Sequence, residues 1–157
     1  MEFSHFSAES TLVPRSVEQE RPFHKPFGLW LSVDGEDDWP AWCQGAQFGL
    51  DRLTYRFRVQ LADGWLHLGT PEAVTEFGNE FGVDLLGDYG PRLFGDGGPV
   101  YHHIDWPRVA EKWPGIVIAP YLFSMRLDMT HSWYYTWDVA SGCVWDASII
   151  ESVEPVA

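Results

Sequence analysis

Residues 53–61 (LTYRFRVQL) alternate apolar and polar side chains without a break, and this run constrains the fold more than any other part of the chain. A period of two puts Leu53, Tyr55, Phe57, Val59 and Leu61 on one face and Thr54, Arg56, Arg58 and Gln60 on the other. That is the pattern of a strand with one face on a core. The chain must therefore build a sheet.

Other segments supply the partners. Residues 1–7 alternate, with Phe3, His5 and Ser7 on one side of a short first strand. Residues 27–33 (FGLWLSV) form an apolar run between Pro26 and the acidic turn 34–38, which marks a buried strand. Asp38 is placed to cap a short helix from Trp39, with Pro40 in its first turn and Trp42 and Cys43 toward the core. Residues 65–68 read as a further short strand, and Thr70-Pro71 opens a helix to Phe81. Asp105 caps another, with Val109, Ala110 and Trp113 on its apolar face. Strands are expected at 115–121 (GIVIAPY), 133–139 (WYYTWDV) and 143–150 (CVWDASII). The polar stretch 9–25 reads as a loop with room for one helical turn, 87–98 as a glycine- and proline-rich loop, and the tail after Ser152 as frayed. Strands at both ends, helices between them and no regular βαβ alternation predict a single mixed α+β domain over residues 1–157.

Composition narrows the function. With 23 acidic against 10 basic residues the net charge is -13, which disfavours direct nucleic-acid binding, since phosphate binders cluster Lys and Arg. Such a charge keeps a protein soluble, or offers an acidic surface to a basic partner. Cys43 and Cys143 follow no basic start with an apolar run, so they read as two buried thiols of a reduced, cytoplasmic protein. No membrane-spanning run is present. Neither GxGxxG nor GxxxxGK[ST] follows a strand, GxSxG is absent, and the six histidines lack zinc-site spacing, so no metal is expected.

What remains is a constellation on the first and last strands: His5 and Ser7 in SHFS, Gly28, Trp30 and Ser32 in GLWLS, and the run WYYTWD. This order resembles the ADP-ribosyltransferase superfamily, as in the poly(ADP-ribose) polymerases. There a first strand carries His-x-Ser/Thr and a second reads Gly-hydrophobic-aromatic-hydrophobic-small. The layout is also similar to the short, phage-encoded anti-CRISPR ADP-ribosyltransferases. The resemblance implies a mainly antiparallel split sheet with a few short helices, an NAD-binding cleft between two small sheets, and transfer of ADP-ribose to an unknown protein or other macromolecular target, with a role in phage–host conflict.

Carried over by position, the resemblance assigns His5 and Ser7 to NAD, and Trp30, with Gly28 and Ser32 beside it, to the nicotinamide side. Trp39 or Trp42 closes the other face, and Tyr134 joins from the third motif. At the family's catalytic glutamate position this chain has Trp133. Asp138 is then the candidate catalytic carboxylate beside His5, ahead of Asp128 and Asp146. Each residue also has a structural reading: Trp30 as core, and Asp138 or Asp146 as strand-end caps. The alternative function is a non-catalytic acidic binding protein, an inhibitor or nucleic-acid mimic acting on a basic partner protein.

Overall fold

The computed structural model describes residues 1–35, 38–85, 87 and 98–156. Most of the loop expected at 87–98, and residues 36–37 of the acidic turn, lie outside the described residues. In chain order the elements are β1 (Phe3–Ser7), β2 (Leu29–Val33), α1 (Trp39–Ala46), β3 (Tyr55–Leu61), β4 (Leu66–Leu68), α2 (Pro71–Phe81), β5 (Gly82–Asp84), β6 (Tyr101–Ile104), α3 (Trp106–Ala110), β7 (Gly115–Ile118), β8 (Ser141–Val144) and β9 (Ile150–Val156). Seven strands join in the order β4-β7-β8-β2-β1-β3-β9, and β5 and β6 form a separate pair. Among the described residues every strand pairing is antiparallel except β4 with β7. The fold is thus mixed α+β, with a mostly antiparallel sheet and few helices.

The helix starts follow from their caps. Asp38 Oδ1 accepts the Ala41 amide at 3.0 Å, Thr70 Oγ1 that of Ala73 at 3.2 Å and Asp105 Oδ1 that of Arg108 at 3.4 Å. Each satisfies an amide that the first turn leaves without a helical partner. One apolar cluster joins Leu31, Val33, Val59, Ile116 and Ile118 of the sheet to Val74, Phe77, Phe81, Trp106 and Val109 of the helices.

Three expectations are corrected. Residues 133–139 are not a strand: Ser132–Thr136 is a 3₁₀ turn. Trp133, Tyr134 and Trp137 all bury their rings while Tyr135 points out, a spacing no strand can produce. Thr136 Oγ1 also donates to the Trp133 carbonyl at 2.9 Å, closing the turn. The expected last strand 143–150 breaks after β8, where Asp146 caps a 3₁₀ turn by accepting the Ser148 amide at 2.9 Å. The tail is not frayed, because β9 adds to the edge of β3 from Arg56↔Val156 to Leu61↔Ile150. An edge strand tolerates Pro155, which has no amide to offer.

The stretch before β2 contains no helical turn but is firmly seated. Phe23 and Ile104 exchange backbone bonds of 3.1 and 2.9 Å, and Trp106 Nε1 donates to the Phe23 carbonyl at 2.9 Å. The buried Gln19 amide clamps the Phe27 backbone from both sides, at 2.6 and 3.0 Å. These bonds hold residues 19–27 as a strap leading into β2.

Candidate functional site

The sheet forks between β1 and β2. β1 pairs with β3 along its full length and β2 with β8 over Leu29–Ser32, but β1 and β2 share only Phe3↔Val33 and Ser4↔Ser32. Beyond Ser4 the ladder gives way to a side chain: His5 Nδ1 lies 2.8 Å from the Trp30 carbonyl oxygen. A carbonyl only accepts, so Nδ1 carries the proton and a neutral ring keeps Nε2 as an acceptor. Two strand groups, β1-β3-β9 and β2-β8-β7-β4, therefore diverge from a short common hinge. This differs from a cleft between two separate sheets, since the hinge keeps all seven strands hydrogen-bonded in one.

The base of the fork is pinned by a closed triangle. Ser4 Oγ donates to Asp34 Oδ2 at 2.9 Å, while Arg56 donates from Nε to Ser4 Oγ at 2.9 Å and from Nη2 to Asp34 Oδ2 at 2.8 Å. This ties β1, β3 and the turn after β2 together, so the fork angle is set by charge-assisted bonds and not by backbone pairing alone.

A cleft of about 390 Å³ opens at the fork, inside the range of about 300–1,000 Å³ usual for small-molecule sites. It brings together His5, Gly28, Trp30, Ser32, Trp39 and Asp138 from the predicted set. Ser32 Oγ accepts the Trp39 amide at 3.0 Å, fixing the start of α1 against β2. Trp42 stands behind Trp39, stacked at 5.1 Å between centroids and outside the lining.

Other predicted residues lie elsewhere. Ser7 is off the lining, and its Oγ accepts the Glu9 amide at 3.0 Å, closing the turn after β1. Tyr134 is fully buried in the core, where its hydroxyl accepts the Leu122 amide at 2.8 Å and burial drives its pKa well above the ordinary value. Trp133 is likewise fully buried. Asp128 Oδ1 accepts the His131 amide at 3.0 Å and Asp146 is a cap, so both carboxylates serve turns. Among the described residues, Asp138 is the carboxylate that lines the cleft, and Arg126 Nη2 approaches its Oδ1 at 3.6 Å.

The residues that sequence reasoning missed are the cations. Lys25, on the strap, and Arg52, on the 3₁₀ turn Leu50–Leu53, both line the cleft. Lys25 Nζ stands 5.1 Å from the centre of the Trp30 ring, which also meets Trp137 at 4.9 Å and 57°. Burial pulls the Lys25 pKa below its ordinary value, and the charge of Asp138 acts in the opposite direction. The available signal was scarcity: with 10 Lys and Arg in the chain, a lysine directly before PFGLW was worth singling out. A wall carrying two cations, within a chain of net charge -13, is suited to an anionic ligand with a planar portion.

Among the described residues no group of three or more His, Cys, Asp or Glu could hold a metal ion, and no helix is long and apolar enough to cross a membrane. Comparison with family models, with curated proteins and with solved structures returns no match to the chain.

Proposed function

We propose that the cleft binds a dinucleotide of the NAD class and that the chain is an ADP-ribosyltransferase-like protein. The observation that carries this reading is the forked β1–β2 pair, with His5 held by the Trp30 carbonyl at the opening. A fork of this kind exposes strand-borne polar groups that a continuous ladder would consume, and it does so beside the SHFS and GLWLS motifs on which the resemblance rests.

The donor set fits such a ligand in its anionic part. Arg52 would answer the diphosphate, His5 Nε2 would accept from a ribose hydroxyl, and Trp39, backed by Trp42, would offer an aromatic face. Bound NAD supplies a glycosidic bond from which nicotinamide can depart. Asp138 is the carboxylate that would stand against positive charge developing on the ribose. Arg126 Nη2, 3.6 Å from Asp138 Oδ1, is placed to orient that carboxylate.

The test is calorimetric titration of NAD into the wild-type protein and into a His5→Ala variant whose circular dichroism matches the wild type. Saturable binding that the substitution weakens by tenfold or more supports the reading, and a search for label transfer from NAD to protein targets then follows. No heat with millimolar oxidised NAD, reduced NAD or ADP-ribose sinks it.

A second reading is favoured by two observations: the cleft carboxylate is already engaged by Arg126, and no glutamate lines the cleft among the described residues. On that reading the chain is a non-catalytic acidic binder of a basic partner. Its complex would weaken steeply with salt and would not depend on His5.

A further inference from the structure

The aromatic face that the resemblance assigns to the nicotinamide ring already has a cation on it. Lys25 Nζ sits 5.1 Å from the Trp30 centroid, and the Trp137 ring packs against the same indole. The ammonium is delivered by an anchored backbone: Phe23 is bridged to Ile104, the Phe27 backbone is clamped by Gln19, and Pro26 between them is buried. Arg52 adds a second positive charge to the lining, against the single carboxylate of Asp138 among the described lining residues. A pyridinium brought to Trp30 would replace a favourable cation–π contact with repulsion between like charges a few ångströms apart.

We propose that Lys25 is a specificity-determining residue, which makes the cleft prefer a nucleotide whose group at Trp30 is uncharged over one that presents a cationic ring there. The inference rests on the NAD-class reading of the cleft and not on the transfer step, which needs oxidised NAD, and it names the preferred form: ADP-ribose or the reduced dinucleotide, ahead of oxidised NAD. Oxidised and reduced NAD share both nucleotides and the diphosphate, so their comparison isolates the charge and planarity of one ring. ADP-ribose removes that ring altogether.

The experiment measures dissociation constants of oxidised NAD, reduced NAD and ADP-ribose for the wild-type chain, for Lys25→Met, which keeps the apolar stem, and for Lys25→Arg, which keeps the charge. The wild type is expected to bind reduced NAD and ADP-ribose about tenfold more tightly than oxidised NAD, and Lys25→Arg to keep that order. Lys25→Met should bring the two redox forms within about twofold of each other. Equal or tighter binding of oxidised NAD by the wild type overturns the proposal while leaving the reading of the cleft intact. So does a Lys25→Met variant that retains the tenfold preference. If none of the three ligands binds, the cleft reading fails and takes this inference with it. Should Lys25→Met not fold, Lys25→Gln with the same outcomes replaces it.

Discussion

Replacing Gly28 with alanine probes the closest backbone approach at the cleft. A Cβ at this position would lie 2.4 Å from the Val144 carbonyl oxygen, 2.9 Å from its carbonyl carbon and 3.0 Å from Cys143 Sγ. A relaxed C···O contact needs roughly 3.3 Å, so β2 would have to retreat from β8 by about 1 Å just where Leu29 pairs with Val144. The backbone adds to this, because φ at Gly28 is +154°, a value L side chains rarely adopt. Overpacking costs about 1–3 kcal/mol and a strained φ another 1–3 kcal/mol, roughly. The expected loss is about 4 kcal/mol, which for a chain of this size lowers Tm by about 8–16 °C.

Gly45 provides the opposite case. It lies in α1, where an added Cβ meets nothing within 4 Å, so Gly45→Ala should stabilise by about 0.5–1 kcal/mol through the backbone entropy of the unfolded chain. Thermal unfolding followed by circular dichroism reads both variants against the wild type. A loss below about 4 °C for Gly28→Ala, or equal destabilisation by the two substitutions, would refute the argument from close approach.

Two further predictions concern titratable groups that are buried or half-buried. His24, His103 and His131 all have pKa values drawn below 6.5, in each case first by burial. The folded state therefore takes up protons less readily than the unfolded chain, so their contribution is complete above about pH 6.5 and is lost as pH falls below it. Urea midpoints should drop between pH 7.5 and 5.5, and a His24→Gln, His103→Gln double variant should flatten the slope; a wild-type midpoint that stays level or rises would contradict this. Cys43 and Cys143 are both buried and unbridged, with burial pushing both thiols upward in pKa, Cys143 strongly. Alkylation at pH 8 should leave the native protein unmodified and label both thiols after unfolding; rapid native labelling of either would show that its site opens.

The local elements were legible in the sequence because their causes are local. Alternation over residues 55–61 marks β3, since it needs neighbours two residues apart, and Asp38, Thr70 and Asp105 announce helix starts because a cap acts within three residues. Six of the cleft residues named from SHFS, GLWLS, the α1 start and WYYTWD do meet, as strand order brings β1 beside β2. The run at 133–139 misled because its four bulky aromatics read as a strand, whereas the core draws Trp133, Tyr134 and Trp137 inward together. β9 escaped notice because its polar residues and Pro155 gain order from β3, a partner distant in sequence.

Sequence by itself therefore determined β1 to β4 and β7, the caps and the acidic balance of this protein. Tertiary structure alone decided the fork between β1 and β2, the turn roles of Ser7, Asp128 and Asp146, and the seat of Lys25 on Trp30. The reason is physical: period and capping depend on neighbours within about one turn, whereas a fork and a cation over a ring depend on which distant strands the sheet order sets side by side.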